Sequence, residues 1–400
     1  DMSWVERYHP QAVLCVWQGG QEGGHAAADV LMGKVNPSGR LTDTIAQKIS
    51  DYPSDPCFGS ETENIYQEDI YVGYRYFETF AKEKVQYPFG YGLSYTTFSI
   101  EGKLISRIQE KNGEIKIRLE ARVTNTGECA GREVLQCYAQ VPQGKLGNPL
   151  RRLVYFFKTE RLQPGESVNK MIEITGYALA SYDDGGVTGN RSAYVLEQGT
   201  YRFYIGSDVR SAAYAGECHL EAQVIEQLQE AMAPVSVFQR MKPEKEKDGY
   251  RLTWEEVPVR TVDQEERRRK ERPEGLKITG DQGWKLIDVL DGKITLDAFT
   301  AQLSEEDLTV IFRGEGMCSP KVTAGTAAAF GGVTEHLQEF GIPAACCADG
   351  PSGIRMDCGT RAFSLPNGTA LGCTFDEKLV EELYTIVGQE IRLNKIDSLL

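Results

Sequence analysis

The sequence predicts a multidomain protein in which two α/β regions flank an all-β region. A chain of 400 residues provides two to three domains at roughly 150 residues per domain. Residues 1–98 and 276–400 alternate short apolar runs with segments of helical periodicity, whereas apolar and polar residues alternate with a period of two in 99–222. A charge-dense stretch, 223–275, separates the last two regions, so we expect four segments with these boundaries.

The first segment is predicted to contain an α/β unit built around a glycine-rich turn. The apolar run Ala12–Trp17 predicts a strand, and the glycines between positions 19 and 24 predict a turn. A small-residue helix is predicted over His25–Met32, ended by the turn residues Asn36–Gly39. The glycines do not follow the G-x-G-x-x-G pattern, which argues against a dinucleotide site.

Residues 99–222 are predicted to form an antiparallel β-sandwich. Apolar residues alternate with polar ones over Ile115–Val123, and further strands are predicted at Val134–Val141, Val168–Ile174 and Tyr201–Ile205. Several short strands separated by regular turn signals are typical of a sandwich. No side chains in this segment point to catalysis, which favours a packing or accessory role.

Residues 223–275 are predicted to be a charged linker. Mixed-sign charge runs and four prolines interrupt any periodicity. The basic cluster Arg267–Lys270 is flanked by glutamates, so we interpret it as a solvated surface segment.

Residues 276–400 are predicted to return to α/β alternation. The predicted elements are helices starting at Ser304, spanning 326–340 and starting at Thr374, and strands at Ala344–Ala348 and 396–400. Two β/α units are too few to close a barrel, which needs roughly 250 residues. Because the chain also starts at Asp1 rather than at Met, we expect it to be truncated at both ends.

Charge and cysteine usage exclude several classes of partner and site. The 58 acidic and 44 basic side chains give a net charge of −14, which argues against nucleic acid and anionic membranes as partners. No stretch approaches the ~20 apolar residues that span a bilayer. Ten cysteines without a C-x-x-C pair, and four histidines, do not predict a zinc or iron–sulfur site. This usage is typical of reduced thiols, and we expect a cytoplasmic location.

Several motifs resemble glycoside hydrolase family 3, the β-glucosidase family. Asp349–Arg355 (DGPSGIR) is similar to the family's D-G-P-x-G-x-R signature, and Gly314–Met317 and Leu365–Thr369 resemble the entrance of its barrel. The remaining motifs resemble the end of its α/β sandwich domain and its fibronectin-III-like domain: Trp17–Gly24, Asn36–Leu41, Val72–Phe77, Pro88–Tyr95, Val123–Gly127 and Gly131–Val134. The resemblance covers nearly everything except the linker.

The resemblance assigns a fold to each segment. It implies the C-terminal part of an α/β sandwich domain at 1–98, a fibronectin-III-like domain at 99–222 and the N-terminal part of a (β/α)8 barrel at 276–400. Most members begin with the barrel, but some bacterial β-glucosidases of the family have the reversed order, and this chain resembles them. The alternative is an artificial join of one enzyme's tail to another's head, against which the mixed linker sequence argues.

The resemblance also implies an activity that this chain supports only in part. Retaining glycosidases need two carboxyl groups about 5 Å apart. In the family the nucleophile is an Asp late in the barrel, and the acid/base is a Glu earlier in the sandwich domain than Gly19. Neither segment is present, so we expect no catalytic residue here and no metal or organic cofactor. The implied substrate is an oligosaccharide or an aryl or alkyl β-glucoside. Glucosidase, xylosidase and N-acetylglucosaminidase activity stay open, as does homo-oligomer formation.

Asp349 and Arg355 are the predicted substrate-binding residues. The family's Asp at the position of Asp349 accepts hydrogen bonds from sugar hydroxyls. Residue chemistry alone also allows Asp349 to be a turn former before Gly-Pro. Arg355 either steers the site or is an ion-pair partner of Asp349 or Asp357.

Three other acids are weaker candidates. Glu315 lies between two glycines and is predicted to cap a turn rather than to serve as an acid catalyst. Glu68 and Asp69 are predicted to precede a strand and could contact substrate from the sandwich side. A second class of function, a non-catalytic carbohydrate-binding or adhesion protein on the fibronectin-like scaffold, stays open, and flanking sequence with the two missing carboxylates would exclude it.

Overall fold

The computed structural model describes residues 2–400 and divides the chain into two compact units. The first unit comprises the residues up to Cys15, Asp29–Gln264 and Gly372–Phe375. The second comprises Val16–Ala28, Glu265–Leu371 and Asp376–Leu400. Each unit therefore combines segments that are distant in the sequence.

The secondary structure of the described residues is as follows. The helices are α1 Trp4–Tyr8, α2 Gly23–Leu31, α3 Tyr74–Phe80, α4 Gly176–Leu179, α5 Gln264–Glu271, α6 Leu286–Leu290, α7 Leu296–Thr300, α8 Glu305–Arg313, α9 Glu335–Glu339, α10 Gly368–Gly372 and α11 Glu377–Leu393. The strands are β1 Ile45–Ala46, β2 Val85–Tyr87, β3 Phe98–Gln109, β4 Ile115–Asn125, β5 Val134–Gln140, β6 Arg152–Lys158, β7 Ser167–Thr175, β8 Ser181–Asp183, β9 Ala193–Leu196, β10 Gly199–Gly206, β11 Ala213–Leu220, β12 Gln223–Gln227, β13 Gln239–Glu246, β14 Gly249–Glu256, β15 Ala328–Gly331, β16 Ala344–Ala348 and β17 Ser398–Leu399. No helix among them is long and apolar enough to cross a membrane.

The predicted β-sandwich is present in the first unit. One sheet has the order β3-β4-β7 and the other β11-β10-β5-β6, with antiparallel neighbours throughout. Along β4 the alternate residues Ile117, Leu119 and Val123 are fully buried, and Leu135 and Phe203 belong to the same core. The period of two that predicted the strands thus separates the core face of the sheet from its solvent face.

The segment 223–275 contains regular structure where its charges predict a linker. β12 pairs with β9, and β13 forms an antiparallel hairpin with β14. Charged side chains pair across the hairpin, as Arg251 does with Glu244, while Met241 is buried against Tyr71 and Phe77. Paired charges on the exposed face hid the strand pattern, because each strand buries only a few apolar residues.

Two other predicted elements are wrong. Ala12–Trp17 forms no strand, and the side chains of Val13 and Val16 are 40% and 50% exposed. The predicted helix at 326–340 is β15 followed by the short helix α9. A Cβ at Gly332 would lie 1.8 Å from the carbonyl oxygen of Ile342, so a close backbone approach separates the two elements. Consecutive alanines favoured a helix here, and tertiary packing overrode that preference.

The second unit is organised around a three-stranded sheet of order β15-β16-β17. β15 runs antiparallel to β16, whereas β17 runs parallel to it. The predicted strand at 344–348 is confirmed as β16, and Ser304 starts α8 with a reciprocal capping box to Asp307. The helix predicted from Thr374 is present as α11, but Asp376 rather than Thr374 caps it, so it begins two residues further along the chain than predicted. Its buried Val387 packs in a core with Cys346 and Leu365.

Candidate functional site

Strand β16 places Asp349 at the carboxyl edge of the sheet. Cys346, Cys347 and Ala348 are buried, and Asp349 is the first residue after the strand. Its side chain is 45% exposed. Parallel β17 ends at the same edge, so Asp349 occupies the end of the sheet where α/β proteins bind ligands.

The loop after Asp349 is a tight reversal that requires glycine at two positions. The amide of Arg355 donates to the carbonyl oxygen of Asp349 at 2.8 Å, which closes the loop. Gly350 has φ +129° and Gly353 has φ +117°. A Cβ at Gly353 would lie 1.9 Å from the carbonyl oxygen of Phe363. The glycines of the motif are thus explained by backbone conformation and close packing.

Arg355 contacts both of its predicted ion-pair partners, Asp349 and Asp357. Its Nη1 lies 3.6 Å from Oδ2 of Asp349, and its Nε donates to Oδ1 of Asp357 at 3.1 Å. The hydrogen bond with Asp357 raises the pKa of Arg355, and the charge of Asp349 adds to that effect. The Arg355 side chain is 61% exposed. Asp357 holds the guanidinium more closely, which leaves the Asp349 carboxylate open to a ligand.

Helix α11 and the segment 363–365 support this loop from behind. The amide of Phe363 donates to both carboxylate oxygens of Glu390, at 2.9 and 3.1 Å. The amide of Leu365 donates to the carbonyl oxygen of Ser352 at 2.8 Å. The hydroxyl of Tyr384 donates to the carbonyl oxygen of Pro351. The loop is therefore held by hydrogen bonds that its backbone carbonyl groups accept from the Leu365 amide and the Tyr384 hydroxyl.

The sequence did not predict that the glycine-rich loop Gln18–Gln21 lies against this segment. The amide of Gln21 donates to the carbonyl oxygen of Ser364 at 3.1 Å, and the amide of Asn367 donates to that of Gln18 at 2.9 Å. Together with Ser352 these residues line a cleft of about 440 Å³. The signal available in the sequence was the pair of glycines, which permit a close backbone approach.

Glu315 lies just before the turn at Met317 and Cys318. Its backbone pairs with Ala329, and its carboxylate accepts a hydrogen bond from the Ser319 hydroxyl at 2.7 Å. The ammonium group of Lys321 donates to the same carboxylate and lowers the pKa of Glu315. A carboxyl group held ionised in this way is poorly suited to donate a proton as an acid catalyst.

Glu68 and Asp69 belong to the first unit, and the element that follows them is the helix α3 rather than the predicted strand. The carboxylate of Asp69 lies 3.0 Å from Nη1 of Arg240, which also pairs with Asp184 and Glu255. Burial raises the pKa of Asp69, while Arg240 opposes that rise. Asp69 thus anchors the hairpin β13–β14 to the segment before α3.

No group of three or more His, Cys, Asp or Glu residues within 2–400 is arranged to hold a metal ion.

Profiles of two known domains match parts of the chain. The glycosyl hydrolase family 3 C-terminal domain matches residues 1–95, and the fibronectin type III-like domain matches residues 133–209. The second match lies within the observed β-sandwich. The α/β assignment of the first segment and the fibronectin-III-like assignment of the sandwich are therefore confirmed.

Whole-chain relatives are β-glucosidases. A β-glucosidase of Ruminococcus albus is 51% identical over 401 residues, which cover 100% of this chain and 41% of the relative. β-Glucosidase A of Butyrivibrio fibrisolvens is 37% identical over 434 residues, covering 98% of this chain and 50% of the relative. The crystal structure of a β-glucosidase from Paenibacillus barengoltzii is 52% identical with a TM-score of 0.95, covering 100% of this chain and 44% of that one.

The chain thus spans about half the length, or less, of the relatives that it matches from end to end. An artificial join would match two proteins in two parts. These alignments instead run through the sandwich end, the fibronectin-III-like domain and the residues beyond it in a single relative. The chain is thus similar from end to end to β-glucosidases, and its first 95 residues match the C-terminal domain of glycosyl hydrolase family 3.

Proposed function

We propose that these 400 residues are the substrate-positioning part of a β-glucosidase-type glycoside hydrolase that cleaves O-glycosyl bonds with retention. The observation that carries this proposal is the similarity of the whole chain to β-glucosidases at 51% and 52% identity. The family's nucleophile and acid/base have no counterparts among the motifs of this chain. Its contribution to the reaction is therefore binding and orientation of the sugar.

Asp349 is the residue proposed to bind the sugar. A carboxylate has two acceptor oxygens and can bridge two adjacent hydroxyls with charge-assisted hydrogen bonds. The Asp349 side chain is half exposed and its contact to Arg355 is long, 3.6 Å, so its carboxylate can accept hydrogen bonds from a sugar. A sugar held in one orientation presents its anomeric carbon to the reacting groups at a fixed distance. Arg355 is proposed to set the direction of the carboxylate.

We also propose that 276–400 begin a (β/α)8 barrel. The parallel strands β16 and β17 are joined by the long helix α11, as in a βαβ unit. Asp349 follows the first of these strands, and barrel enzymes place their ligand-binding residues after the strands. The antiparallel strand β15 lies at the edge of the same sheet.

The proposal is tested in a chimera in which residues 1–400 replace the aligned segment of the Paenibacillus barengoltzii β-glucosidase. We expect the chimera to hydrolyse a nitrophenyl β-glucoside. Asp349→Asn should lower kcat/KM by about two orders of magnitude, which is about 2.7 kcal/mol of transition-state stabilisation. The matched control is Asp376→Asn, because asparagine caps a helix as well as aspartate does.

The control should stay within about threefold of the parent chimera. If Asp349→Asn also stays within that range, Asp349 is only a turn residue and the proposed role is wrong.

A further inference from the structure

We infer that the glycine-rich loop Gln18–Gln21 is a positioning element for Asp349. It acts through the segment Phe363–Asn367, which lies between this loop and the loop that carries Asp349. The inference rests on the proposed function, because it concerns the geometry of the same sugar-binding carboxylate. The loop Gln18–Gln21 lies far from Asp349 in the sequence.

Hydrogen bonds join the loop Gln18–Gln21 to the segment Phe363–Asn367. Gln21 and Ser364 bond reciprocally: the Gln21 amide donates to the Ser364 carbonyl oxygen at 3.1 Å, and the Ser364 amide donates to Oε1 of Gln21 at 3.2 Å. The amide of Asn367 donates to the carbonyl oxygen of Gln18 at 2.9 Å. Three hydrogen bonds therefore fix the register of the two segments.

Gly20 makes this close approach feasible. Its φ is +68°, and an added Cβ would lie 2.5 Å from the carbonyl oxygen of Ser364 and 2.6 Å from the carbonyl carbon of Leu365. Both contacts are with backbone atoms, so no side chain can rotate away to relieve them. Any larger residue at position 20 must push the two segments apart.

A hydrogen bond and a close backbone contact join the segment Phe363–Asn367 to the loop that carries Asp349. The Leu365 amide donates to the Ser352 carbonyl oxygen at 2.8 Å, three residues beyond Asp349. Gly353 packs so closely that a Cβ there would lie 1.9 Å from the carbonyl oxygen of Phe363. A displacement of residues 364 and 365 therefore also displaces the loop that fixes the position of the Asp349 carboxylate.

The loop contributes little to the core of the second unit. Gln18 and Gln21 are exposed, and the core cluster next to the sheet is built from other residues, including Leu365, Ile354 and Val387. Disturbing the loop should consequently alter the geometry at Asp349 more than it alters the stability of the fold.

The first experiment measures amide hydrogen exchange in the 400-residue chain. Gly20→Ala should raise the exchange rates of the Leu365 and Asn367 amides by about tenfold, because the hydrogen bonds that protect them are displaced. Gly24→Ala is the matched control, since an added Cβ there meets nothing within 4 Å. If Gly20→Ala exchanges like the control, the coupling does not exist and the inference is overturned.

The second experiment is a double-mutant cycle in the chimera. Gly20→Ala should lower kcat/KM about tenfold in the parent, but by less than about twofold in the Asp349→Asn background. A purely structural role would give equal losses in both backgrounds, and that result would overturn the inference. Should Gly20→Ala fail to fold, Gln21→Ala serves in its place.

Gln21→Glu provides the rescue, because a carboxylate oxygen still accepts from the Ser364 amide. It should restore kcat/KM to within about twofold of the parent, and a loss as large as that of Gln21→Ala contradicts the inference. If the chimera is active and Asp349→Asn lowers its kcat/KM while Gly20→Ala does not, only the positioning role of the loop is overturned. An Asp349→Asn variant of normal activity overturns the proposed function as well.

Discussion

The β-sandwich of the first unit and the loop-rich second unit are stabilised in different ways. In the sandwich, two sheets bury alternate residues of long strands, so that Ile117, Leu119 and Phe203 have no exposed surface. In the second unit the strands β15, β16 and β17 have only two to five residues. The sandwich thus depends on side-chain packing, whereas the site in the second unit depends on backbone hydrogen bonds between loops.

The largest expected effect concerns a buried ion pair in the first unit. Arg40 and Glu133 pair with side chains only 3% and 6% exposed. Arg40→Met leaves the carboxylate buried without its partner, which should reduce the free energy of unfolding by about 3–5 kcal/mol. Urea denaturation measures the change.

The exposed pair of Arg202 and Glu217 provides the control for the ion pair, since its side chains are 42% and 44% exposed. Arg202→Met should cost less than about 1 kcal/mol. An equal loss in the two variants would show that burial does not control the strength of these pairs.

A second prediction compares one substitution in the two units. Leu119→Ala in the sandwich should cost about 3–5 kcal/mol, because two packed sheets cannot collapse around the cavity. Leu365→Ala, at a residue 2% exposed among loops, should cost about 2–3 kcal/mol, since loops relax more readily. Leu93→Ala, at a residue 72% exposed, is the control.

Urea unfolding followed by tryptophan fluorescence distinguishes these cases. A larger loss for Leu365→Ala than for Leu119→Ala would reverse the comparison between the units.

The smallest expected effect is a pH dependence of the second unit. Nδ1 of His336 lies 2.8 Å from Oδ1 of Asp307, and this hydrogen bond raises the pKa of His336. The charge of Asp307 contributes to the rise, and Glu339 and Asp281 add to it. The stabilisation is complete below the ordinary pKa of histidine, about 6.5, and is lost as pH rises through the elevated value.

The midpoint temperature of thermal unfolding of the second unit should therefore decrease as the pH is raised from about 6 to about 8. In His336→Gln that component of the pH dependence should be absent. A midpoint that changes equally in both proteins would assign the dependence to other groups.

Local patterns in the sequence predicted the sandwich and the strand that carries Asp349. Alternation over Ile115–Val123 predicted β4, and the short apolar run Ala344–Ala348 predicted β16. The hairpin β13–β14 was missed because paired charges masked its few apolar residues. The helix predicted at 326–340 failed because alanine favours helices wherever tertiary contacts do not oppose it.

The contact between Gln18–Gln21 and Phe363–Asn367 had no comparable signal. Two of its three hydrogen bonds join backbone atoms, which every residue type other than proline can supply. The side chain of Gln21 makes the third bond, but nothing in the local sequence indicates a partner more than 340 positions away. Only Gly20, with its positive φ and lack of room for a Cβ, marks the position.

In the proposed function, this chain positions a sugar but contains neither catalytic carboxylate. The most direct test is to express residues 1–400, purify them and assay release of nitrophenol from aryl β-glucosides and β-xylosides, with the chimera as positive control. The claim predicts no turnover by the 400 residues and hydrolysis by the chimera, because one positioning carboxylate cannot serve as both nucleophile and acid. Turnover that persists through further purification would contradict it, and Glu315, Glu68 and Asp69 would be the first residues to substitute.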